Sequence, residues 1–387
     1  MSYKFPLASS SWGQEEHDAM QRVIASGMFS MGPEVAGYER AFSSYIGSRY
    51  SVMVNSGSSA NLLMIAALFY TKQDPLQRGD EVIVPAVSWS TTFFPLQQYG
   101  LKLRFVDIDI NTLNYDLEQL EQAITANTRL IMVVNLLGNP NDFSSIQSII
   151  GNKPIRIIED NCESMGAKYN NKMAGTFGLM GSFSSFFSHH ICTMEGGLIV
   201  TDDTELYHIL LTLRAHGWTR NLPKYNHVTQ EKSDDFLEES WKFVLPGYNV
   251  RPVEMSGAIG TAQIKKLPMI ISARRNNAIL LQQALGNHPE ILLQKEIGES
   301  SWYGFSLVIR PDSKMTRKNL FNTITAAGFD CRPIVAGNFA KNPVLKYFDY
   351  NIFGNLDNAN YVDKNGLFIG NHHYDLTEAI TTLAEIL

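Results

Sequence analysis

The chain has 387 residues, of which 44% are hydrophobic and 18% charged, with a formal net charge of -6 spread along its length. That length exceeds one compact core and leaves room for a deep site, while mild, dispersed acidity excludes the basic surface that a nucleic-acid partner requires. No apolar run is long enough to cross a bilayer and the first residues lack the apolar core of a secretion signal, so a cytoplasmic protein without a membrane partner is expected.

In chain order, residues 51–54 form the first strand-like apolar run. The segment that follows, Val54-Asn55-Ser56-Gly57-Ser58-Ser59-Ala60-Asn61, leads from strand end through a small-residue turn into an apolar helix. Free backbone N–H groups at a helix start, with the positive end of its dipole, suit a phosphate, and Ser58 adds a hydroxyl. Taken alone, the same residues also make an ordinary cap and turn. Further strands are predicted at residues 81–84 and 103–108, and Trp89 follows the first of them; by itself it reads as an ordinary core aromatic.

Strands at residues 130–135 and 155–159 come next, and the latter runs into Glu159-Asp160-Asn161-Cys162-Glu163. A carboxylate such as Asp160 at a buried strand end needs a positive partner, which a protonated heterocyclic nitrogen provides; a helix cap or structural ion pair is the plainer alternative. Residues 181–185 and 197–201 are two more predicted strands. Between them lies Ser184-Ser185-Phe186-Phe187-Ser188-His189-His190-Ile191-Cys192-Thr193-Met194-Glu195-Gly196-Gly197. Adjacent histidines point in different directions and no carboxylate lies at ligand spacing, so no metal site is expected. Cys162, Cys192 and Cys331 are far apart and unpaired in pattern, which fits buried thiols better than disulfides or zinc.

After Pro246 the pattern changes to helices at residues 253–264 and 272–285 and a strand at 302–309. Strands alternating with helices predict an α/β fold with a mostly parallel central sheet. The division expected is a large domain of residues 1–245 and a smaller carboxy-terminal α/β domain of residues 246–387.

The phosphate-type turn, the Glu-Asp pair and the His189 segment, in this order, resemble the DegT/DnrJ/StrS aminotransferase family, sugar-modifying enzymes of the fold-type-I pyridoxal phosphate class with an aspartate aminotransferase-like fold. The family pattern is Ser-Gly-(Ser/Thr)-x-Ala, then Glu-Asp, then Ser-x-x-x-x-Lys with (Glu/Asp)-Gly-Gly six residues after the lysine. Here Glu195 lies six residues after His189, so a histidine stands where the family lysine binds the cofactor covalently. The resemblance implies a 3-dehydratase that takes a 4-keto-6-deoxy sugar carried on GDP, with pyridoxal 5′-phosphate or its pyridoxamine form bound non-covalently and L-glutamate as amino donor. A 4-aminotransferase of the same family is the alternative. An iron–sulfur branch is disfavoured, because three isolated cysteines cannot supply four thiolates.

Position by position, the resemblance implies that His189 is the catalytic base, that Gly57, Ser58 and Ser184 hold the cofactor phosphate, that Trp89 stacks on its ring and that Asp160 keeps its nitrogen protonated. Glu163 falls beside the cofactor with its role left open. Asn249 would reach the phosphate in a neighbouring subunit, which implies a homodimer with shared active sites. For the substrate, Arg220 and Arg251 are candidates for the diphosphate, followed by His216, Asp330 and the loop Gly27, Met28, Phe29 and Ser30.

Overall fold

The computed structural model describes residues 3–387. Its larger sheet has eight strands: β1 (Tyr50–Val54), β2 (Glu81–Pro85), β3 (Lys102–Val106), β4 (Thr128–Val134), β5 (Arg156–Asp160), β6 (Gly181–Ser184), β7 (Gly197–Thr201) and, from far along the chain, β11 (Tyr350–Ile352). They lie in the order β1-β7-β6-β5-β4-β2-β3-β11. Strand β7 runs antiparallel to both neighbours and the remaining pairs are parallel.

Side-chain alternation explains why these runs become strands with two covered faces. Val52, Val54, Val82, Val84, Leu130 and Met132 join one core with Leu63 and Phe93, whereas the residues between them, Met53, Ile83 and Ile131, turn to cores on the opposite face. All are essentially inaccessible, and each contributes about 1.5–3 kcal/mol of burial. Helices α2 (Pro33–Ile46), α3 (Gly57–Leu68), α4 (Ser90–Gln98) and α5 (Thr204–Arg214) are among those that cover the sheet, while α1 (Gln14–Ser26) packs on the long helix of residues 254–285.

A second sheet of four strands is formed by β8 (Ile291–Leu293), β9 (Gly304–Ile309), β10 (Cys331–Arg332) and β12 (Gly366–Gly370), in the order β8-β9-β12-β10 and antiparallel throughout. The two helices expected at residues 253–264 and 272–285 are one continuous rod, α6 (Glu254–Leu285), with Pro268 inside it. A proline in a helix interior costs about 3 kcal/mol or more. Burial of Leu267, Ile270 and Ile271 around it offsets that cost, because all three pack into the core beneath α2. The far end of the same rod places Ala278, Leu281 and Leu285 in the core of the second sheet, so one helix belongs to both cores.

Candidate active site

A cavity of about 580 Å³ opens at the carboxyl ends of β1, β2, β4, β5 and β6 and is closed from the other side by residues of the second sheet. Open parallel sheets gather ligands at this place because loops diverge there and helix N-termini point in. Of the residues singled out from sequence, Gly57, Ser58, Trp89, Asp160, Glu163, Ser184 and His189 all line it.

At the end of β1, Ser56 caps α3, its side chain accepting from the Ser59 N–H at 3.1 Å. The first N–H groups of α3, at Gly57 and Ser58, are therefore left over at a helix start beside the cavity. Gly57 has no room for a side chain: a Cβ there would lie 2.7 Å from Ser184 Cβ and 2.8 Å from Cys162 Sγ. The Ser58 hydroxyl donates to Thr91 Oγ1 at 3.0 Å, joining the first turns of α3 and α4. Trp89, the residue before α4, is 58% exposed on the cavity rim, unusual for so large an aromatic and suited to covering a flat ring.

Asp160 ends β5 and is 6% exposed. Its carboxylate accepts from Asn61 Nδ2 and Thr92 Oγ1, both at 2.8 Å, and from the Cys162 N–H at 3.1 Å. Asn61 is oriented in turn by the Ser182 hydroxyl at 2.6 Å, and Thr92 by Ser88 at 2.8 Å. All the donors are neutral, and among the described residues no cation forms an ion pair with it. A buried carboxylate in that state calls for a cationic partner from outside the chain. Its neighbour Glu159 points away and holds the 175–178 loop through the backbone N–H groups of Gly175, Phe177 and Gly178.

Glu163 accepts from the Leu137 N–H at 2.9 Å. Burial, and then the charge of Asp160, push its carboxyl up to about 7. Cys162 also faces the cavity, its thiol held protonated by burial and by Asp160.

His189 lines the same cavity as Asp160. Its backbone N–H donates to Phe186 O at 2.9 Å, and its ring lies 5.2 Å from the Tyr303 ring and 6.1 Å from that of Phe186, centroid to centroid. Its Nδ1 is buried with no hydrogen-bond partner. Burial, and after it the positive charge of Arg274, push the imidazole down to about 4. His190 turns the other way, and its Nε2–H donates to Ser301 O at 3.1 Å. No lysine lines the cavity among the described residues.

The remaining candidates lie outside this cavity in the single chain. Gly27, Met28, Phe29 and Ser30 are exposed between α1 and α2, with Gly27 in the left-handed region at φ 69° as the cap of α1. Asn249 is exposed and accepts from Arg251 Nε at 3.0 Å. Arg220 lies over the Trp218 ring and His216 beside it, and Asp330 donates its N–H to Phe5 O. Sequence reasoning did not single out Tyr303, Arg332, Phe368, Ser188 or Thr91, which do line the cavity. Tyr303 immediately precedes β9 and Phe368 lies in β12, and no local pattern announces them.

A phosphorylated, ring-nitrogen cofactor fits these residues: a helix-start cradle with no room for a Cβ at Gly57, an exposed aromatic face, and a buried carboxylate lacking a cation. Comparison with known proteins agrees. The chain is 63% identical over 384 residues to the GDP-4-keto-6-deoxy-D-mannose 3-dehydratase of Yersinia pseudotuberculosis, covering 99% of this chain and 98% of that one. Two solved structures of GDP-4-keto-6-deoxymannose-3-dehydratase superpose with a TM-score of 0.98 at 62% identity, covering 99% of this chain and 100% of theirs. One is a histidine-to-asparagine mutant with bound GDP-perosamine, and the other holds a trapped PLP-glutamate geminal diamine. Residues 10–387 match a single family profile, and the chain belongs to the DegT/DnrJ/EryC1/StrS aminotransferase family.

Proposed function

We infer that this protein is a pyridoxal phosphate-dependent 3-dehydratase that removes the C3 hydroxyl of GDP-4-keto-6-deoxy-D-mannose. The observation that carries the reading is an imidazole with an unpartnered nitrogen, in a cavity without lysine that it shares with a buried carboxylate lacking a cation of its own. The relatives named above, at 62–63% identity across nearly the whole chain, support it.

When bound, the cofactor in its amine form supplies a nitrogen that engages the 4-keto group and a protonated ring that accepts electrons. Asp160 pairs with the ring nitrogen and keeps it protonated; its three neutral donors fix the carboxylate in place. Gly57, Ser58 and Ser184 hold the phosphate, and Trp89 covers the ring. His189 accepts the proton from the cofactor's C4′ carbon and returns a proton to the departing C3 hydroxyl. A lysine at this position would bind the cofactor covalently, and histidine cannot. The cofactor is therefore retained by non-covalent contacts alone. L-glutamate would restore the amine form after each turnover and leave as 2-oxoglutarate, and hydrolysis by water would release the sugar-bound nitrogen as ammonia.

The exposed candidates belong to the same proposal through a homodimer with shared sites. Asn249 and the 27–30 loop complete the partner subunit's cavity, which accounts for their exposure in the isolated chain. Arg220 and Arg251, with His216 and Asp330, serve the substrate there. No helix of the described residues is long and apolar enough to cross a membrane, and we place the enzyme in the cytoplasm, in the assembly of a dideoxy sugar for a surface polysaccharide.

Incubation with GDP-4-keto-6-deoxy-D-mannose and 15N-labelled L-glutamate tests this directly. The expected result is a sugar nucleotide lighter by one oxygen, with the label released as ammonia. Label retained in the sugar would make the protein an aminotransferase instead.

A further inference from the structure

Arg274 lies in the middle of α6 and is 5% exposed. Among the described residues no carboxylate lies within ion-pair distance of it, so its charge is uncompensated in a place where an unpaired charge costs several kcal/mol. Its Nη1 donates to three carbonyls, those of Asn371 at 2.7 Å, Tyr303 at 2.9 Å and Trp302 at 3.4 Å, and its Nε has no partner. Structures keep such a group where it does something that a neutral side chain cannot.

Its partners point to what that is. Trp302 has φ 47°, a left-handed conformation that costs a non-glycine residue on the order of 1–3 kcal/mol. Asn371 helps to hold it, donating from Nδ2 to Trp302 O at 2.9 Å and to Arg274 O at 3.0 Å. The turn is therefore pinned from two sides. The residues around it touch both histidines of the 189–190 pair: Ser301 O accepts from His190 Nε2, and the Tyr303 ring lies 5.2 Å from that of His189 and 5.8 Å from that of His190. The Tyr303 hydroxyl is 3.4 Å from Ser188 Oγ, and Phe368 stacks on its ring at 5.8 Å.

The charged and titratable groups around His189 come from several elements. On the positive side are His190 on its own loop, Arg274 from α6 and Arg332 from β10; Arg332 lines the cavity, whereas Arg274 lies behind its wall. On the acidic side are Asp160 and Glu163 from the end of β5 and Glu195 ahead of β7, with the protonated Cys162 and Tyr303 beside them. Three carboxyl groups share the cavity, yet burial and then Arg274 are what set the imidazole, down to about 4 at His189 and well below its ordinary value at His190.

We propose that Arg274 is a positioning residue for the dehydration: by pinning residues 301–303 it seats Tyr303 against the His189 ring, and it sets an unpaired positive charge behind that ring. The inference rests on His189 being the base of the proposed reaction, but its physical core, the coupling of Arg274 to His189, is measurable without turnover.

The test uses the full-length protein with 13C-labelled histidine rings, titrated by NMR without cofactor, the His189 signal being the one lost in His189→Asn. In Arg274→Gln the His189 midpoint rises towards the ordinary imidazole value of about 6.5, and in Arg274→Lys it stays low. With cofactor and substrate, Arg274→Gln lowers kcat by about 10–100-fold while KM changes by less than about threefold, and the acid limb of kcat moves up with the NMR midpoint. Tyr303→Leu, which keeps the charge and removes the ring, lowers kcat and leaves the acid limb in place. An unmoved His189 midpoint in folded Arg274→Gln overturns the proposal. Should that variant not fold, the parent protein decides, because a His189 midpoint at or above about 6.5 there overturns it equally. If the parent titrates as expected but dehydrates no GDP-sugar, the functional reading fails and the Arg274–His189 coupling stands.

Discussion

The two walls of the cavity treat charge in opposite ways. At the end of β5, Asp160 is surrounded by neutral donors on rigid elements, an arrangement that welcomes a carboxylate and leaves it wanting a cation. Elsewhere in the lining, His189 has an unpartnered nitrogen and a buried guanidinium near it, an arrangement that turns protons away. One wall is built to hold a fixed charge and the other to stay neutral until a proton is delivered to it. The number of hydrogen bonds at a residue therefore does not measure its importance: Asp160 is held by three donors that fix it in place, and His189 Nδ1 has none.

The largest expected effect comes from emptying the second wall. His189→Asn keeps a polar side chain without a basic nitrogen, and kcat for dehydration falls by about 10²–10⁴-fold, while cofactor binding, measured by dialysis, changes little. Emptying the first wall gives the converse. Asp160→Asn removes the charge and leaves Asn61 and Thr92 in place, so cofactor affinity falls by the equivalent of about 2–5 kcal/mol, read as loss of cofactor on gel filtration.

Acid sharpens the contrast further. His372, near the same Arg274, donates from Nε2 to Pro6 O and accepts on Nδ1 from Ser9 Oγ, both at 2.8 Å, and burial holds it down to about 4. The fold binds its neutral form and the unfolded chain takes up the proton first, so this contribution is fully present above about pH 6.5 and is lost as pH falls towards about 4. The whole span amounts to on the order of 3 kcal/mol. Urea midpoints measured across that window should fall with acid in the parent and fall less steeply in His372→Gln. The smallest effect expected is at the rim: Trp89→Ala removes the stacking surface, weakening cofactor binding by about 0.5–1.5 kcal/mol with kcat at saturating cofactor nearly unchanged.

How much of this was legible in the sequence depends on how local the signal is. The strand ends at Val54, Asp160 and Ser184 stand out because an apolar run stops and small or acidic residues begin, and Gly57, Ser58, Asp160, Glu163 and Ser184 sit at such places. His189 was visible only by its distance from Glu195-Gly196-Gly197. Tyr303, Phe368 and Arg274 were not visible, since what makes them notable is a packing between residues 28 to 115 positions apart, and a buried arginine on a helix looks in sequence like a surface one. The gap expected between helices 253–264 and 272–285 failed for the same reason: local propensity at Pro268 disfavours a helix, but tertiary burial of Leu267, Ile270 and Ile271 holds the rod together.

The short strand Tyr350–Ile352 closes the outer edge of the large sheet, with Tyr350 opposite Leu103 and Ile352 opposite Phe105. During synthesis that edge leaves the ribosome roughly 240 residues before the segment that covers it, a delay of about 12–50 s at about 5–20 residues per second. Through that interval the nascent sheet presents unpaired backbone along Lys102–Val106, an open invitation to other chains. Chaperone dependence and yield at elevated expression should therefore respond to changes around residue 350, far from any chemistry.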